Sequence, residues 1–311
     1  MIIVSPAPRG STLGNSVTAD RYLGIFRSLG WRTRILEAYT GEPAQCLVAL
    51  HARKSARSVL AFRKRYPDRQ IVLVLTGTDL YRDMHTSALA VRAMNAADAL
   101  VTLQPEGARE LPPALRAKTT AIVQSAPAGR PARRGARATF DICVLGHLRW
   151  EKDPMRAAYA LRTLDGALPI RLRQAGGILA PQYGGAVERE TRRNPRYRFL
   201  GELSRAGARR LLLRSDLLVH SSRLEGGANV LCEAIACGVP ILASRIPGNT
   251  GILGRTYPGL YPAGDTAALA RLIERASVVP AYYERLQKAC AKLKPLVAAA
   301  GETKRWRLIL R

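Results

Sequence analysis

Short apolar runs, separated by polar turns and amphipathic stretches, set the rhythm of this chain. Residues 1–5, 32–37, 46–50, 70–75, 99–103 and 119–123 predict six strands in its first part. Residues 140–145, 170–174, 197–200, 215–220 and 240–243 predict five more in the second. Helical patterns fall between and after them, at 17–29, 86–97, 228–237, 265–276 and 281–300, with a further helical segment opening at Gln104-Pro105-Glu106. Gly30 and Gly238 stand where helices should stop, and Ser204 where the helix through Leu213 should start. The most informative stretch is 215–251, which reads strand, Gly-rich turn, helix, strand. That is the unit of a parallel α/β sheet.

At 311 residues, the length suits two domains of about 150 residues each. The stretch 126–139, APAGRPARRGARAT, is rich in Pro, Gly and Arg and lacks apolar periodicity, so it reads as the linker. The expected division is 1–135 and 136–311, with the last helices returning to the first domain and Trp306 packing there. A hydrophobic fraction of 47% supports real cores and argues against disorder. No apolar run approaches the roughly 18 residues that a membrane span needs. The N-terminus MIIVSPAPRG has no basic segment ahead of its apolar residues and reads as a first strand, not a signal peptide. Five scattered cysteines without a CxxC pair fit a reduced, cytoplasmic setting, and four dispersed histidines suggest no metal cluster.

The net charge of +26 admits nucleic acid, an anionic membrane or anionic small substrates. A nucleic-acid protein should carry a basic helix or stripe interleaved with aromatics. Aromatics are 6% of this chain and its charge is spread along it, so no nucleic-acid partner is expected. Anionic ligands fit better, and the strand ends show where they would bind. In an open parallel sheet, ligands lie beyond the carboxyl ends of the strands.

The turn after residues 215–220 carries Glu225-Gly226-Gly227, with Glu233 on the helix that follows. Adjacent glycines let backbone approach a ligand closely, and the helix start at Ala228, Asn229 and Val230 favours an anion. One carboxylate for sugar hydroxyls, amides for a diphosphate and a second carboxylate for ribose would accommodate a nucleotide sugar. The loop after the first strand offers Arg9, Ser11, Gly14 and Asn15. His51 follows the third strand directly, with Arg53 and Lys54 as anion-holding cations. Thr76-Gly77-Thr78-Asp79 ends the fourth strand; Asp79 is the functional acid expected there, and Asp79 or Asp83 otherwise caps the next helix. Arg82 either pairs with one of these acids or binds phosphate. Asp153 and Pro154 suggest another helix start, and 245–251 a second Gly-rich turn.

Glu225 and Glu233 with seven residues between them, Gly226-Gly227 inside, then Glu233-Ala234, Gly238-Val239-Pro240 and Gly248, together resemble the donor site of retaining GT-B glycosyltransferases of the family 4 type. That resemblance implies an α/β GT-B fold, two Rossmann-like domains facing across a cleft, and a site that needs no metal or other cofactor. It implies donor contacts from Gly14 and Gly146 and base reading through backbone groups of residues 200–203, Gly201 and Leu203 among them. Lys152 matches the lysine that grips the diphosphate in such enzymes. His147 stands where they carry an arginine, with Arg149 two residues on to supply the charge, and Asp153 replaces a common glycine. Catalysis would rest on Lys152, Arg149 and Glu225, with Asp79 and His51 as further candidates.

The phrase LTGTDLYRD, with ALHARKS before it and GHLRWEKDP after it, resembles a narrower group, the selenosugar synthases of the selenoneine pathway. The resemblance covers most of the chain. It implies a UDP-sugar donor, UDP-N-acetylglucosamine or a related hexose, and selenophosphate as acceptor. Arg9, Ser11, Asn15, Arg53, Lys54, Thr76, Thr78 and Arg82 would then face the acceptor. The broader family reading keeps a lipid or polysaccharide acceptor as the alternative.

Overall fold

The computed structural model describes residues 1–131 and 138–310. The chain divides into two compact units. The first holds Met1–Gln124, the short segment Glu225–Gly227 and the chain from Ala299 on; the second holds Ser125–Leu224 and Ala228–Ala298.

The first unit is built on strands β1 (Ile2–Val4), β2 (Arg34–Leu36), β3 (Cys46–Leu50), β4 (Gln70–Leu75), β5 (Ala99–Thr102) and β6 (Thr119–Ala121). They form one parallel sheet in the order β2-β1-β3-β4-β5-β6. Helices α1 (Gly14–Ser28), α2 (Ala56–Arg65), α3 (Met84–Thr86), α4 (Ala88–Ala96) and α5 (Pro113–Arg116) connect them. Both faces are covered, which is why the strands read as unbroken apolar runs. Leu47, Ala49, Ile71, Leu73 and Leu75 serve one core, and Cys46, Val48, Leu50, Val72 and Val74 the other, following the two-residue period of a strand.

The second unit contains β7 (Phe140–Leu145), β8 (Ile170–Ala175), β9 (Tyr197–Phe199), β10 (Leu217–His220), β11 (Ile241–Ser244) and β12 (Leu260–Tyr261). Its sheet is also parallel, in the order β12-β11-β10-β7-β8-β9. Counted from β9 inward, that is the 3-2-1-4-5-6 order of a dinucleotide-binding sheet, with its switch point between β7 and β10. Helices α6 (Arg156–Arg162), α7 (Gln182–Arg193), α8 (Arg205–Leu213), α9 (Asn229–Cys237), α10 (Pro247–Leu253), α11 (Thr266–Val278) and α12 (Pro280–Lys292) flank it. The last helix, α13 (Ala299–Ile309), belongs to the first unit. Its Trp306 is fully buried and stands edge-on to Tyr22 and Phe26 of α1, with ring centroids 4.7 and 4.9 Å away.

Five local expectations are corrected. The helix expected at 86–97 is interrupted. A π-helical turn covers Asp79–Asp83, α3 follows, and extended Ser87 starts α4 by accepting the Ala90 N–H at 3.3 Å. The helix expected at 281–300 is two helices, α12 and α13, separated by a 3-10 turn at Lys294–Val297. Pro295 in that turn has no N–H to continue the ladder. The loop expected through Asn15 ends sooner, because α1 begins at Gly14. The Gly-rich phrase 245–251 is not a turn but the start of α10, with Pro247 in its first turn. Asp153 does not start a helix. Its backbone is left-handed (φ 43°), and α6 begins only at Arg156, whose Nε donates to the Asp153 carboxylate at 2.9 Å.

The described part of the expected linker is tied into the second unit. The Ala126 N–H donates to the Val297 carbonyl at 3.1 Å, and Arg209 donates to the carbonyls of Pro127 and Ala128. The boundary expected at 135/136 lies outside the described residues. Among the described residues no helix is long and apolar enough to cross a membrane.

Replacing Trp306 by Ala removes the ring that joins α13 to α1 and leaves a cavity. Urea unfolding followed by circular dichroism should show a loss of about 3–5 kcal/mol, with Trp306→Phe retaining part of it.

Candidate functional site

At the switch point of the second sheet, two strand-end loops are fastened to each other. The Ser221 hydroxyl, beyond β10, donates to the carbonyls of Lys152 and Asp153 at 3.2 and 2.9 Å. The N–H groups of Arg223 and Leu224 donate to the Glu151 carbonyl at 2.8 and 3.3 Å. The loop after β7 lies equally close to the loop after β8. A Cβ at Gly176 would sit 2.0 Å from the Gly146 carbonyl oxygen. The Leu148 N–H donates to the Gly177 carbonyl at 2.8 Å.

His147 accepts the Gly177 N–H on Nδ1 at 3.0 Å. That contact places the proton of its neutral ring on Nε2. The histidine that stands where an arginine was expected is thus part of the loop's own bracing. The Lys152 stem passes over Gly146, its Cδ 4.0 Å from where a Cβ would be. Arg149 is exposed and pairs with Glu151 at 3.8 Å. The Asp153 carboxylate holds Arg156 and, at 3.6 Å, Arg223. Its left-handed backbone explains why a glycine is common at this position in the resembling enzymes, since Asp is among the few side chains that tolerate such a φ. Helix α9 starts after Ala228 without a side-chain cap, so an anion near Asn229 and Val230 meets amide dipoles rather than a competing hydroxyl or carboxylate. Glu233 is half-buried on this helix, and Gly201 (φ 68°) and Leu203 follow β9.

In the first unit a second group of side chains gathers at the ends of β3 and β4. Asp79 is fully buried. Its Oδ1 accepts the N–H of Thr76 at 2.9 Å and of Gly77 at 2.7 Å; its Oδ2 accepts the N–H of Ala52 at 2.9 Å. The acid expected to act on a ligand therefore holds two loops together. His51 (φ 71°) and Asp153 are the two non-glycine residues with positive φ among the described residues, and each lies in a strand-end loop. Such conformations cluster at functional sites. His51 Nε2 lies 2.9 Å from the Thr78 hydroxyl, and its Nδ1 accepts the Lys54 N–H at 3.4 Å. Burial pushes the His51 imidazole below the ordinary histidine range; Asp79 opposes that shift, Lys54 adds to it, Asp83 opposes it and Arg53 adds to it. Arg53 and Arg82 both pair with Asp83. In the loop after β1, Arg9 is exposed and Ser11 half-buried; in the first turn of α1, Gly14 is exposed and Asn15 half-buried.

Glu225–Gly227 belongs to the first unit, and here the reason for the glycines differs from the expected one. A Cβ at Gly226 would lie 2.4 Å from the Thr76 carbonyl carbon and 2.5 Å from the Gly77 nitrogen; one at Gly227 would lie 2.5 Å from the Leu103 Cβ. Both glycines make room for the protein's own Thr76–Gly77 and Leu103. Glu225 is buried beside them. Sequence reasoning anticipated that Arg82 pairs with Asp79 or Asp83, but missed Arg223, although it adjoins the Glu225 turn, and the pairing of Arg53 with Asp83. Among the described residues, no group of three His, Cys, Asp or Glu side chains is placed to hold a metal ion.

A sequence profile of the glycosyl transferases group 1 family matches residues 136–293. Glycosyltransferase 1 domain-containing protein 1 of Xenopus tropicalis is 30% identical over 114 residues, which is 36% of this chain; the match spans 33% of that relative's length. Among solved structures, sucrose-phosphate synthase (tll1590) from Thermosynechococcus elongatus superposes with a TM-score of 0.78 at 16% identity, covering 99% of this chain and 97% of that one. Anabaena Alr3699/HepE, solved in complex with UDP and glucose, gives 0.74 at 13% identity, covering 99% and 98%. These likenesses are of fold, and the fold is the expected GT-B type, here as two parallel six-stranded sheets.

A methyl group at Gly226 has no room, so Gly226→Ala should lower stability by about 1–3 kcal/mol, seen as a lower thermal midpoint. His51, with a folded pKa below its ordinary value of 6.5, binds its proton more readily in the unfolded chain. Stability should therefore fall as pH drops below about 6.5, and His51→Gln should flatten that slope in thermal scans from pH 7 to 5.

Proposed function

The chain belongs to the glycosyl transferases group 1 family, and from that premise we propose that it moves a hexose from a UDP-sugar to selenophosphate. The observation that supports the donor half is the fastened pair of loops at the β7/β10 switch point: one carries Arg149 and Lys152, and the other follows β10, ahead of α9, which starts without a side-chain cap. A fold neighbour solved with UDP and glucose supports the choice of nucleotide. The selenophosphate half rests on the resemblance of LTGTDLYRD and its flanking phrases, together with the cations Arg53, Lys54 and Arg82 at the ends of β3 and β4.

In this reading the diphosphate sits at the start of α9, near Ala228, Asn229 and Val230. Glu233 takes the ribose hydroxyls and Glu225 the hexose. Residues Gly201 to Leu203 meet the base. The bond from the anomeric carbon to the diphosphate oxygen breaks, and UDP leaves with the electron pair. Lys152, Arg149 and the helix amides stabilise the charge that develops on it. Selenium of the acceptor forms the new bond to carbon. Selenophosphate is already an anionic nucleophile, so no group has to remove a proton from it. His51 and Asp79 then serve by shaping the acceptor side, in keeping with their hydrogen bonds to Thr78 and to backbone N–H groups.

Incubation with UDP-N-acetylglucosamine and selenophosphate should release UDP and give a sugar with the selenium isotope pattern in its mass spectrum. Hydrolysis of the UDP-sugar with no selenium product, or transfer only to a lipid or polysaccharide, rejects the acceptor half. Glu233→Ala should weaken UDP binding by about 10–100-fold in calorimetry, the value of one or two hydrogen bonds to a charged group. Lys152→Ala should lower kcat by about 100-fold or more, as loss of a group that stabilises transition-state charge does.

A further inference from the structure

We propose that Asp83 is a positioning residue that presents Arg53 and Arg82 as a clamp for the phosphate group of the acceptor. This rests on the reading that the acceptor is a phosphate-bearing anion. It assigns a role to an acid that the sequence offered only as a helix cap or a partner of Arg82.

The geometry is specific. Arg53 follows β3, and Arg82 lies in the π-helical turn after β4, the strand paired with β3. The Asp83 side chain is 2% exposed, yet the two arginines that meet it are 49% and 54% exposed. Arg82 Nε donates to Oδ1 at 3.3 Å. Arg53 Nε lies 3.2 Å from Oδ2, and that oxygen accepts no hydrogen bond among the described residues. The second contact is thus an attraction of charges without the alignment of a fitted pair.

A surface ion pair made for stability gains little and needs no buried partner. A carboxylate taken out of water is costly, and more so with one oxygen lacking a hydrogen bond. What it achieves here is orientation. One acid beneath two guanidiniums draws both to the same spot, each through its Nε. A guanidinium recognises an oxyanion by its planar set of donors. Two of them brought together from adjacent strand ends match a tetrahedral phosphate better than a single cation would.

The surroundings agree with a small anion. The Thr78 hydroxyl, 2.9 Å from His51 Nε2, and exposed Lys54 belong to the same two loops. The negative groups of the cluster are Asp79 and Asp83. Asp79 is turned to the N–H groups of Thr76, Gly77 and Ala52, so its charge is already met.

The test uses the full chain and two kinds of measurement. The first is binding of inorganic phosphate by calorimetry. The second is steady-state transfer to selenophosphate, with KM and kcat taken separately and UDP affinity measured alongside. Asp83→Asn and Arg53→Ala should each weaken phosphate binding and raise the acceptor KM by about 10-fold, the loss of roughly one charge-assisted contact, with kcat and UDP affinity within about twofold. Arg53→Lys should not restore binding, because an ammonium cannot form the fork. Arg53 is half exposed, so its variants keep the test open if Asp83→Asn fails to fold. Unchanged phosphate binding in both Asp83→Asn and Arg53→Ala overturns the clamp, as does an equal loss of UDP affinity. If the wild-type chain transfers nothing to selenophosphate yet binds phosphate in a manner that needs Asp83, the clamp stands and the proposed acceptor falls. If transfer occurs and the variants match wild type, the acceptor stands and the clamp falls.

Discussion

One buried carboxylate organises the loops at the carboxyl ends of β3 and β4 in the first unit. Asp79 is fully buried, and backbone N–H groups from two different loops converge on its oxygens. An isolated buried charge of this kind would cost several kcal/mol. Each hydrogen bond to a charged acceptor offsets about 1.5–3 kcal/mol, so three donors are enough to keep it there. The consequence is mechanical. The segment after β3 cannot drift from the segment after β4 without stranding the charge. His51 stays in its left-handed conformation because Ala52, the next residue, is pinned by Asp79. Thr78 stays within reach of His51 because Gly77, on its other side, is pinned too.

The second unit solves the same problem with backbone. Among the described residues, its loops after β7, β8 and β10 have no fully buried acid gathering backbone N–H groups as Asp79 does, although half-buried Asp153 reaches Arg223. They come close enough for main-chain groups to bond directly, as Leu148 does with Gly177 and Arg223 with Glu151. Close approach demands that one partner lack a side chain, and Gly176 meets that demand against Gly146. The difference suits the two kinds of ligand proposed above. A nucleotide is long and is read by amides along an extended surface, which suits a backbone-lined groove. A small anion needs a few side chains aimed at one point, which suits loops fixed by an acid.

Much of this fold was legible because parallel strands buried on both faces leave an unbroken apolar trace. Residues 46–50, 70–75 and 140–145 were read to their observed ends for that reason. Strand β12, two residues long at a sheet edge, leaves too short a trace to notice. Helix ends were harder, since a run such as 86–97 has helical composition throughout, and only the capping preference of Ser87 betrays the break. Pro295 was a visible signal for the end of α12, but the apolar period on either side of it outweighed the missing donor. In the site, the pattern from Glu225 to Glu233 marked a place but not the reason for its glycines. A sequence shows that backbone must come close, and it takes coordinates to show that Thr76, Gly77 and Leu103 are what it approaches. The pairing of Arg82 with one of the neighbouring acids was legible from adjacency, but the second partner of Asp83, Arg53, was not, because strand pairing and not spacing along the chain brings it there.

The excess of positive charge gains meaning at this level of detail. A net +26 raises the concentration of any anion near the surface, but at physiological salt that field fades within about 8 Å and selects nothing. Selection needs donors of fixed direction. Arginines in both ligand-facing regions rest on acids: Arg53 and Arg82 on Asp83, Arg156 and Arg223 on Asp153, Arg149 on Glu151. An acid beneath a guanidinium lowers the local net charge and narrows the orientations the group can take. A nucleic acid, which draws its affinity from many loosely placed cations, gains little from that exchange. A phosphate or diphosphate, which is gripped by a few forks at set angles, gains directly from it. The pairing of arginine with acid at the strand ends is therefore the feature of this basic chain that best matches the small phosphorylated ligands proposed for it.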